Sequence, residues 1–131
     1  MTALVRTVDG VFEVDIDTET VVGEVEAEVD HDLLDVNLPR LVAASAGGST
    51  VVALVARRPP LLVSWDAGAT WHESGGGLPP GFDVAVDAAA PDRVLYAARN
   101  RLYLSLDGGR FWRSLAAELP DIEAIAWAES S

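Results

Sequence analysis

The sequence has 131 residues, of which 50% are apolar, and it predicts one globular domain, residues 1–131, with a hydrophobic core. It contains no cysteine, which excludes disulfides, thiolate zinc sites and cysteine nucleophiles. The formal net charge is −12 and all nine basic residues are arginine, which argues against nucleic-acid binding through a basic surface.

The first unit of the chain, residues 1–38, is predicted to supply three β-strands. These strands are residues 3–7, 11–14 and 22–29. The last of them alternates acidic and apolar side chains, as expected of an outer strand with one face in water. Residues 15–22 can be aligned with a motif that recurs twice further along the chain, with Asp17 at its aspartate position. Glu19 and Val22 then replace the glycine and the tryptophan of that motif.

Two further units of similar design follow, residues 39–77 and 78–120. In each, short apolar runs alternate with turns that contain Gly, Pro or Asp, which predicts four antiparallel strands. The predicted strands are 41–45, 50–56, 61–64 and 70–73 in one unit, and 82–87, 93–98, 101–105 and 110–113 in the other. A spare strand, within residues 121–128, is predicted to complete the first unit, which otherwise has only three strands.

A repeated motif is the most informative feature of the chain. Residues 64–71 (SWDAGATW) return 41 residues later as residues 105–112 (SLDGGRFW). Repetition at the length of one four-stranded unit is typical of a β-propeller, in which each unit is a blade. The predicted fold class is therefore all-β, with three four-stranded antiparallel blades per chain.

The two motifs resemble the Asp box, or BNR repeat, of sialidase-like propellers, the sortilin luminal domain and photosystem assembly factors. In such a turn the aspartate can accept backbone hydrogen bonds, the glycine can adopt positive φ, and the tryptophan supplies a large apolar surface. The resemblance implies that these residues are structural and lie away from the ligand face. They are Ser64, Asp66, Gly68 and Trp71 in the first motif, and Ser105, Asp107, Gly109 and Trp112 in the second.

The number of blades predicts an assembly. Closed propellers have typically four to eight blades, and an arc of three would expose the apolar faces of its end blades. We therefore expect a homodimer that forms one six-bladed ring. In that ring, residues 122–127 of each chain would join the N-terminal blade of the other chain.

No pattern in the sequence predicts a cofactor or a metal site. His31 and His72 are isolated, and no phosphate-binding loop or nucleophile elbow occurs. Residues 9–35 hold 11 of the 21 acidic residues, but they lack the spacing of a calcium loop. We expect no cofactor and no metal.

Resemblance to sialidases gives an alternative function, a glycoside hydrolase whose site is completed across the oligomer. That resemblance implies an arginine triad, a Tyr/Glu nucleophilic pair and an acidic Asp. The two tyrosines, Tyr96 and Tyr103, fall inside predicted strands. Arginines occur on the predicted loops at 57–58 and 99–101, where they could reach an anion.

The favoured function is a non-enzymatic binding or scaffold module. Propeller ligands usually bind at the axial face, so a binding rim is predicted near the innermost strands. Its candidate residues are Arg40, Asp83, Asp87 and Glu123. The expected partners are a second copy of the chain and a protein or small ligand, with no nucleic acid and no membrane.

The cellular location follows from what the sequence lacks. Its first residues have no apolar core of a signal peptide, and no stretch approaches a membrane span, so we expect a cytoplasmic protein. The acidic, lysine-free composition resembles that of proteins from salt-loving archaea. High salt would screen the mutual repulsion of the surface carboxylates.

Overall fold

The computed structural model describes residues 1–30, 34 and 36–128, and it folds them into twelve β-strands. In chain order the strands are β1 (Thr2–Thr7), β2 (Gly10–Asp15), β3 (Thr20–Val25), β4 (Leu41–Gly47), β5 (Thr50–Val55), β6 (Leu61–Ser64), β7 (His72–Ser74), β8 (Gly81–Val86), β9 (Val94–Ala98), β10 (Arg101–Ser105), β11 (Arg113–Ser114) and β12 (Ile122–Trp127). Within these residues no helix has the length and apolarity needed to cross a membrane.

The strands form three antiparallel sheets of four, which confirms the predicted all-β fold with three propeller-like blades. Blade 1 has the strand order β12-β1-β2-β3, blade 2 the order β4-β5-β6-β7, and blade 3 the order β8-β9-β10-β11. The innermost strands of the three blades are therefore β12, β4 and β8. Short strands with alternating buried positions, joined by tight turns, account for this arrangement.

Blade 1 is completed by the C-terminal strand of the same chain. Strand β12 pairs antiparallel with β1, so that Val5 lies opposite Ile125 and Ala3 opposite Trp127. The sequence analysis expected this strand to join the first blade of a second chain. The structure shows that one chain can satisfy the same strand pairing by itself.

Blade 3 lies between the other two blades, and one hydrophobic core fills each junction. The core between blades 2 and 3 includes Val52, Val63, Val94 and the fully buried Tyr96. The core between blades 3 and 1 takes the opposite faces of the same strands of blade 3, together with side chains of β1, β2 and β12. Blade 3 is thus buried on both faces, and blades 1 and 2 are the ends of an arc.

The end face of blade 2 is apolar as well. Ala44, Ala53, Val55 and Leu62 are buried there, on the side of the sheet away from blade 3. Their partly buried neighbours include Trp71, Val36 and Leu38. Part of the connection that precedes blade 2 therefore covers this face.

The three connections from an outer strand to an inner strand differ in length. Six residues, 75–80, lead from blade 2 to blade 3, and seven residues, 115–121, lead from blade 3 to β12. Fifteen residues, 26–40, lead from blade 1 to blade 2. The short connections join neighbouring blades, whereas the long one joins the two ends of the arc.

Candidate functional site

The first repeat motif forms the turn between β6 and β7, with Asp66 at its centre. Its carboxylate accepts hydrogen bonds from the Ser64 hydroxyl (2.7 Å), the Thr70 backbone N–H (2.9 Å) and the Thr70 hydroxyl (2.6 Å). The Ser64 hydroxyl accepts in turn from the Gly68 N–H at 2.7 Å. The Thr70 and Ser64 hydrogen bonds hold the pKa of Asp66 well below its ordinary value of 3.8. The charged aspartate therefore fastens this turn.

The second repeat motif has the same local arrangement around Asp107, between β10 and β11. Its carboxylate accepts from the Ser105 hydroxyl at 2.7 Å and from the backbone N–H groups of Arg110 and Phe111 at 3.0 Å each. Partial burial raises the pKa of Asp107, but these hydrogen bonds outweigh it and leave the pKa lowered. The structure thus brings the predicted Ser, Asp and Gly of each motif together as turn-forming groups.

Two of the three tryptophans of the motifs, Trp65 and Trp112, join blades 2 and 3. Trp112 packs edge-on against Tyr96 with ring centroids 6.0 Å apart, and its indole N–H lies 3.2 Å from the Ser74 hydroxyl of blade 2. Trp65 of the first motif donates to the carbonyl of Gly108 in the second motif at 3.0 Å. Trp71 lies on the end face of blade 2. The motif tryptophans therefore lie at blade faces.

The N-terminal copy of the motif follows the sequence alignment at its first residue but not at its aspartate. Asp15, at the serine position, accepts from the Asp17 N–H at 3.0 Å and the Thr18 N–H at 3.4 Å, as Ser64 accepts from the Asp66 N–H. The Asp17 carboxylate instead pairs with the N-terminal ammonium of Met1 at 2.6 Å. Glu19, at φ 58°, accepts from the Ala116 N–H (2.8 Å) and from Arg113 (3.1 Å), and it links blade 1 to blade 3.

At the opposite ends of the blades, the inner strands form a common face, which we call the start face because β4, β8 and β12 begin there. The second residue of each inner strand has no partner in the register of the neighbouring strand. These three residues are Val42, Phe82 and Glu123, and their exposures are 48%, 49% and 49%. Bulges of this kind re-aim a side chain. Sequence patterns show no signal for them, because a bulge depends on the pairing of two strands.

The four residues of the predicted rim do not share one surface. Arg40 and Glu123 lie at the start face, both exposed. Asp87 follows the far end of β8, about 13 Å along the strand from Asp83 at roughly 3.3 Å per residue. Asp83 is only 1% exposed, so it presents no carboxylate to an external ligand.

Asp83 instead joins two inner strands. Its carboxylate accepts from the N–H of Val84 (2.9 Å) and from the N–H of Ile125 in β12 (2.9 Å). A buried carboxyl group needs such hydrogen-bond partners, and the bond to Ile125 ties blade 3 to blade 1. The prediction of Asp83 as a rim residue is therefore corrected to a buried link between blades.

The start face gathers arginine in an otherwise acidic molecule. Six of the nine arginines lie there: Arg6, Arg40, Arg57, Arg58, Arg99 and Arg101. Arg6 pairs with Asp30 at 3.0 Å, and Arg99 lies 3.6 Å from Asp121. A cavity of about 360 Å³ opens beside the adjacent pair, Arg57 and Arg58. Its other lining residues come from the second blade and from the connection to blade 3.

The candidate residues for hydrolysis have other surroundings. Tyr96 is fully buried and donates to the Pro79 carbonyl at 2.5 Å, and burial raises the pKa of its hydroxyl to about 12. Tyr103 lies edge-on to Tyr96 at 6.0 Å. His72 packs against Trp65 at 4.9 Å, and His31 lies outside the described residues. Among the residues that the structure describes, no three acidic or histidine side chains gather as metal ligands.

Comparison with known proteins gives a structural similarity but no family. No protein-family model matches the chain, and no curated protein sequence matches it. A solved structure with a similar fold is the GH74 enzyme of Niastella koreensis, NkGH74, with a TM-score of 0.47 and 23% sequence identity. The match covers 86% of this chain but only 17% of that enzyme. The likeness concerns the fold alone.

Proposed function

We propose that this chain is a non-enzymatic binding or scaffold module of the Asp-box propeller type, and that two chains complete a six-bladed ring. The ring would present the start faces of both chains as its ligand-binding surface. The observation that carries the proposal is the end face of blade 2, which has the composition of a junction between blades.

The tryptophans that end the two motifs, Trp112 and Trp71, allow the end face of blade 2 to be compared with the junction between blades 2 and 3. Trp112 of blade 3 packs into the junction with blade 2, next to Tyr96 and Ser74. Trp71 holds the equivalent position in blade 2, and it lies with buried apolar residues on the face that points away from blade 3. The covering residues named there, Val36 and Leu38, belong to the connection and not to a blade. In the ring a further blade would pack on this apolar sheet face in place of Val36 and Leu38.

The long connection supports an exchange between chains. Elsewhere in the fold, six or seven residues are enough to lead from an outer strand to the next inner strand. The fifteen residues 26–40 can extend about 50 Å at roughly 3.3 Å per residue, so they can join two blades of one arc or reach a blade across a subunit boundary. In the ring, β12 of each chain would make with the partner's β1 the pairing it makes within one chain. Exchange of an identical element costs little free energy.

Light scattering in molar salt tests the proposal. We expect twice the chain mass of 13.9 kDa, and a monodisperse monomer would overturn it. The variant Trp71→Glu places a charge on the end face and should lower the mass to that of a monomer. The matched control Leu106→Glu changes a side chain that is 54% exposed on blade 3, which is not an end of the arc, and should leave the mass unchanged.

A shortened connection gives a second test. In one arc, residues 26–40 must join the two end blades, so deletion of five of them would strain this connection. In the ring the same connection would join adjacent blades, and such connections need only six or seven residues elsewhere in the fold. We therefore expect the deletion to increase the dimeric fraction. An increase in monomer would contradict the exchange.

The sialidase-like hydrolase is a second candidate, favoured by the arginines gathered at the start face. The resemblance implies a tyrosine nucleophile, but Tyr96 is buried, and burial raises the pKa of its hydroxyl to about 12. A screen with fluorogenic glycosides separates the two functions. Turnover that is abolished by a single change of Arg57, Arg58 or Arg99 would favour the hydrolase.

A further inference from the structure

The cavity at the start face has apolar walls and a cationic edge. Val42, Val55, Pro60, Leu78 and Pro80 contribute apolar surface, and Ala56 and Gly81 complete the wall. Arg57 and Arg58 are exposed and border the same space. The volume of about 360 Å³ is in the range of small-molecule sites.

One wall of the cavity is held in place by Tyr96. The Tyr96 hydroxyl donates to the carbonyl of Pro79 at 2.5 Å. Gly81 lies so close to the same ring that a Cβ atom there would be 2.4 Å from it. The segment from Pro79 to Gly81 is therefore pinned over a buried side chain, and the wall exists before any ligand binds.

The opposite wall is held by backbone hydrogen bonds. The N–H of Val55 donates to the carbonyl of Pro60 at 2.8 Å and closes the loop that carries the two arginines. The N–H of Ala56 donates to the carbonyl of Arg40 at 2.9 Å and fixes that loop to the start of β4. A cavity with two fixed walls loses little conformational entropy when a ligand enters it.

The charges at this cavity differ from those of the rest of the molecule. None of the described residues that line it is acidic. Among the residues that the structure describes, no carboxylate pairs with Arg57 or Arg58, although the chain has 21 acidic residues. Two guanidinium groups beside an apolar hollow suit a ligand that has an anionic oxygen group at one end and an apolar body at the other.

We propose that this cavity binds a small amphiphilic anion, with a carboxylate or phosphate group at Arg57 and Arg58 and an apolar body against Val42 and Leu78. The inference rests on the proposed function, since it names the ligand class of the binding module. The cavity lies within blades 2 and 3 of one chain, however, and binding does not require the ring.

Isothermal titration with three matched probes tests the site: phenyl phosphate, benzoate and the uncharged benzyl alcohol. We expect at least one anion to bind tenfold or more tightly than benzyl alcohol, and the stronger anion identifies the headgroup. Equal binding of all three probes, or no binding of either anion, would overturn the proposal. Inorganic phosphate alone should bind more weakly than phenyl phosphate, because it leaves the apolar walls empty.

Variants locate the binding. Arg57→Gln with Arg58→Gln should weaken the better anion at least tenfold, whereas the control Arg93→Gln, at a partly exposed arginine near Asp87 and away from the start face, should leave its affinity unchanged. Val42→Asp puts a carboxylate at the half-exposed edge of the cavity and should also abolish binding. Unchanged affinity in the double variant would place the anion elsewhere and overturn the site.

Light scattering on the same samples keeps the two proposals apart. A monomer that binds the anion would support the cavity and overturn the ring. A dimer that binds no anion would support the ring and overturn the cavity.

Discussion

The indole N–H of Trp65, in the first repeat motif, donates a hydrogen bond of 3.0 Å to the carbonyl oxygen of Gly108 in the second. The Arg110 guanidinium lies 3.9 Å above the same indole ring, at the distance of a cation–π contact. At Gly108, a Cβ atom would lie 2.9 Å from the indole nitrogen. One motif therefore packs directly on the turn of the next, so the repeat fastens neighbouring blades as well as its own hairpin.

This contact predicts unequal effects at equivalent positions of the two motifs. Trp65→Phe keeps an aromatic ring but removes the hydrogen bond, and should lower the free energy of unfolding by about 1 kcal/mol. Leu106 holds the same position in the second motif, where it is 54% exposed. Leu106→Ala should therefore cost less than about 0.5 kcal/mol. Urea denaturation at fixed salt measures both, and equal losses would contradict the role of Trp65.

The pKa of Asp66 predicts how the first motif responds to acid. A pKa below the ordinary 3.8 in the folded chain means that the charged carboxylate adds stability above that pH, and that this stability is lost as the pH falls below it. Asp66→Asn keeps one acceptor oxygen but cannot titrate. Below about pH 4, the unfolding free energy should therefore fall less steeply for the variant than for the parent chain. If the unfolding free energies of the variant and of the parent chain fall with pH at the same slope, this role of Asp66 in the turn is refuted.

Gly81 is predicted to be intolerant of any side chain. A Cβ atom there would meet the buried Tyr96 ring at 2.4 Å, and overpacking of this kind costs about 1–3 kcal/mol. The control is Gly76→Ala in the same connection, since a Cβ atom at Gly76 has no neighbour within 4 Å. Thermal unfolding should show a clear loss of Tm for Gly81→Ala only. A similar Tm for the two variants would mean that the wall can move.

Ala67 gives a prediction in the opposite direction. It holds a φ of 58°, a conformation in which a Cβ atom is strained, and the equivalent residue of the second motif is Gly108 with a φ of 74°. Ala67→Gly relieves that strain, but it also increases the conformational entropy of the unfolded chain. We expect a net increase in the free energy of unfolding of up to about 1 kcal/mol. A loss of Tm in a thermal scan would show that the alanine side chain contributes packing.

The fold could be predicted from the sequence because its signals are local. Apolar alternation, turn residues and the recurrence of residues 64–71 at 105–112 are all visible along the chain. They were enough for three four-stranded blades, which the structure confirms. The alignment of the N-terminal copy holds for Asp15, which accepts a turn N–H as Ser64 does, and for Glu19, which has a positive φ as Gly68 has. It fails for Asp17, whose carboxylate pairs with the N-terminal ammonium. An ion pair with the chain terminus has no sequence pattern.

The candidate site depended on contacts that are distant along the chain. Asp83 looked like an exposed carboxylate at a strand start, but it accepts a hydrogen bond from Ile125, 42 residues away. The cavity beside Arg57 and Arg58 is lined by the ends of three strands, by the loop after β5 and by the connection to blade 3, which meet only in the folded chain. Bulges at Val42 and Phe82 likewise depend on the register of neighbouring strands. The spacing of apolar residues along one segment gives no information about this hydrogen bond, the cavity or the bulges.

The pairing of β1 with β12 makes the arc a candidate for circular permutation. The Ala128 N–H donates to the Thr2 carbonyl at 2.9 Å, so a short loop could join the two ends of the described chain. With new termini opened inside the 26–40 connection, the polypeptide would run through blades 2, 3 and 1 in their spatial order. Every blade would then be built from four consecutive strands, and no terminal strand would be left to exchange between chains.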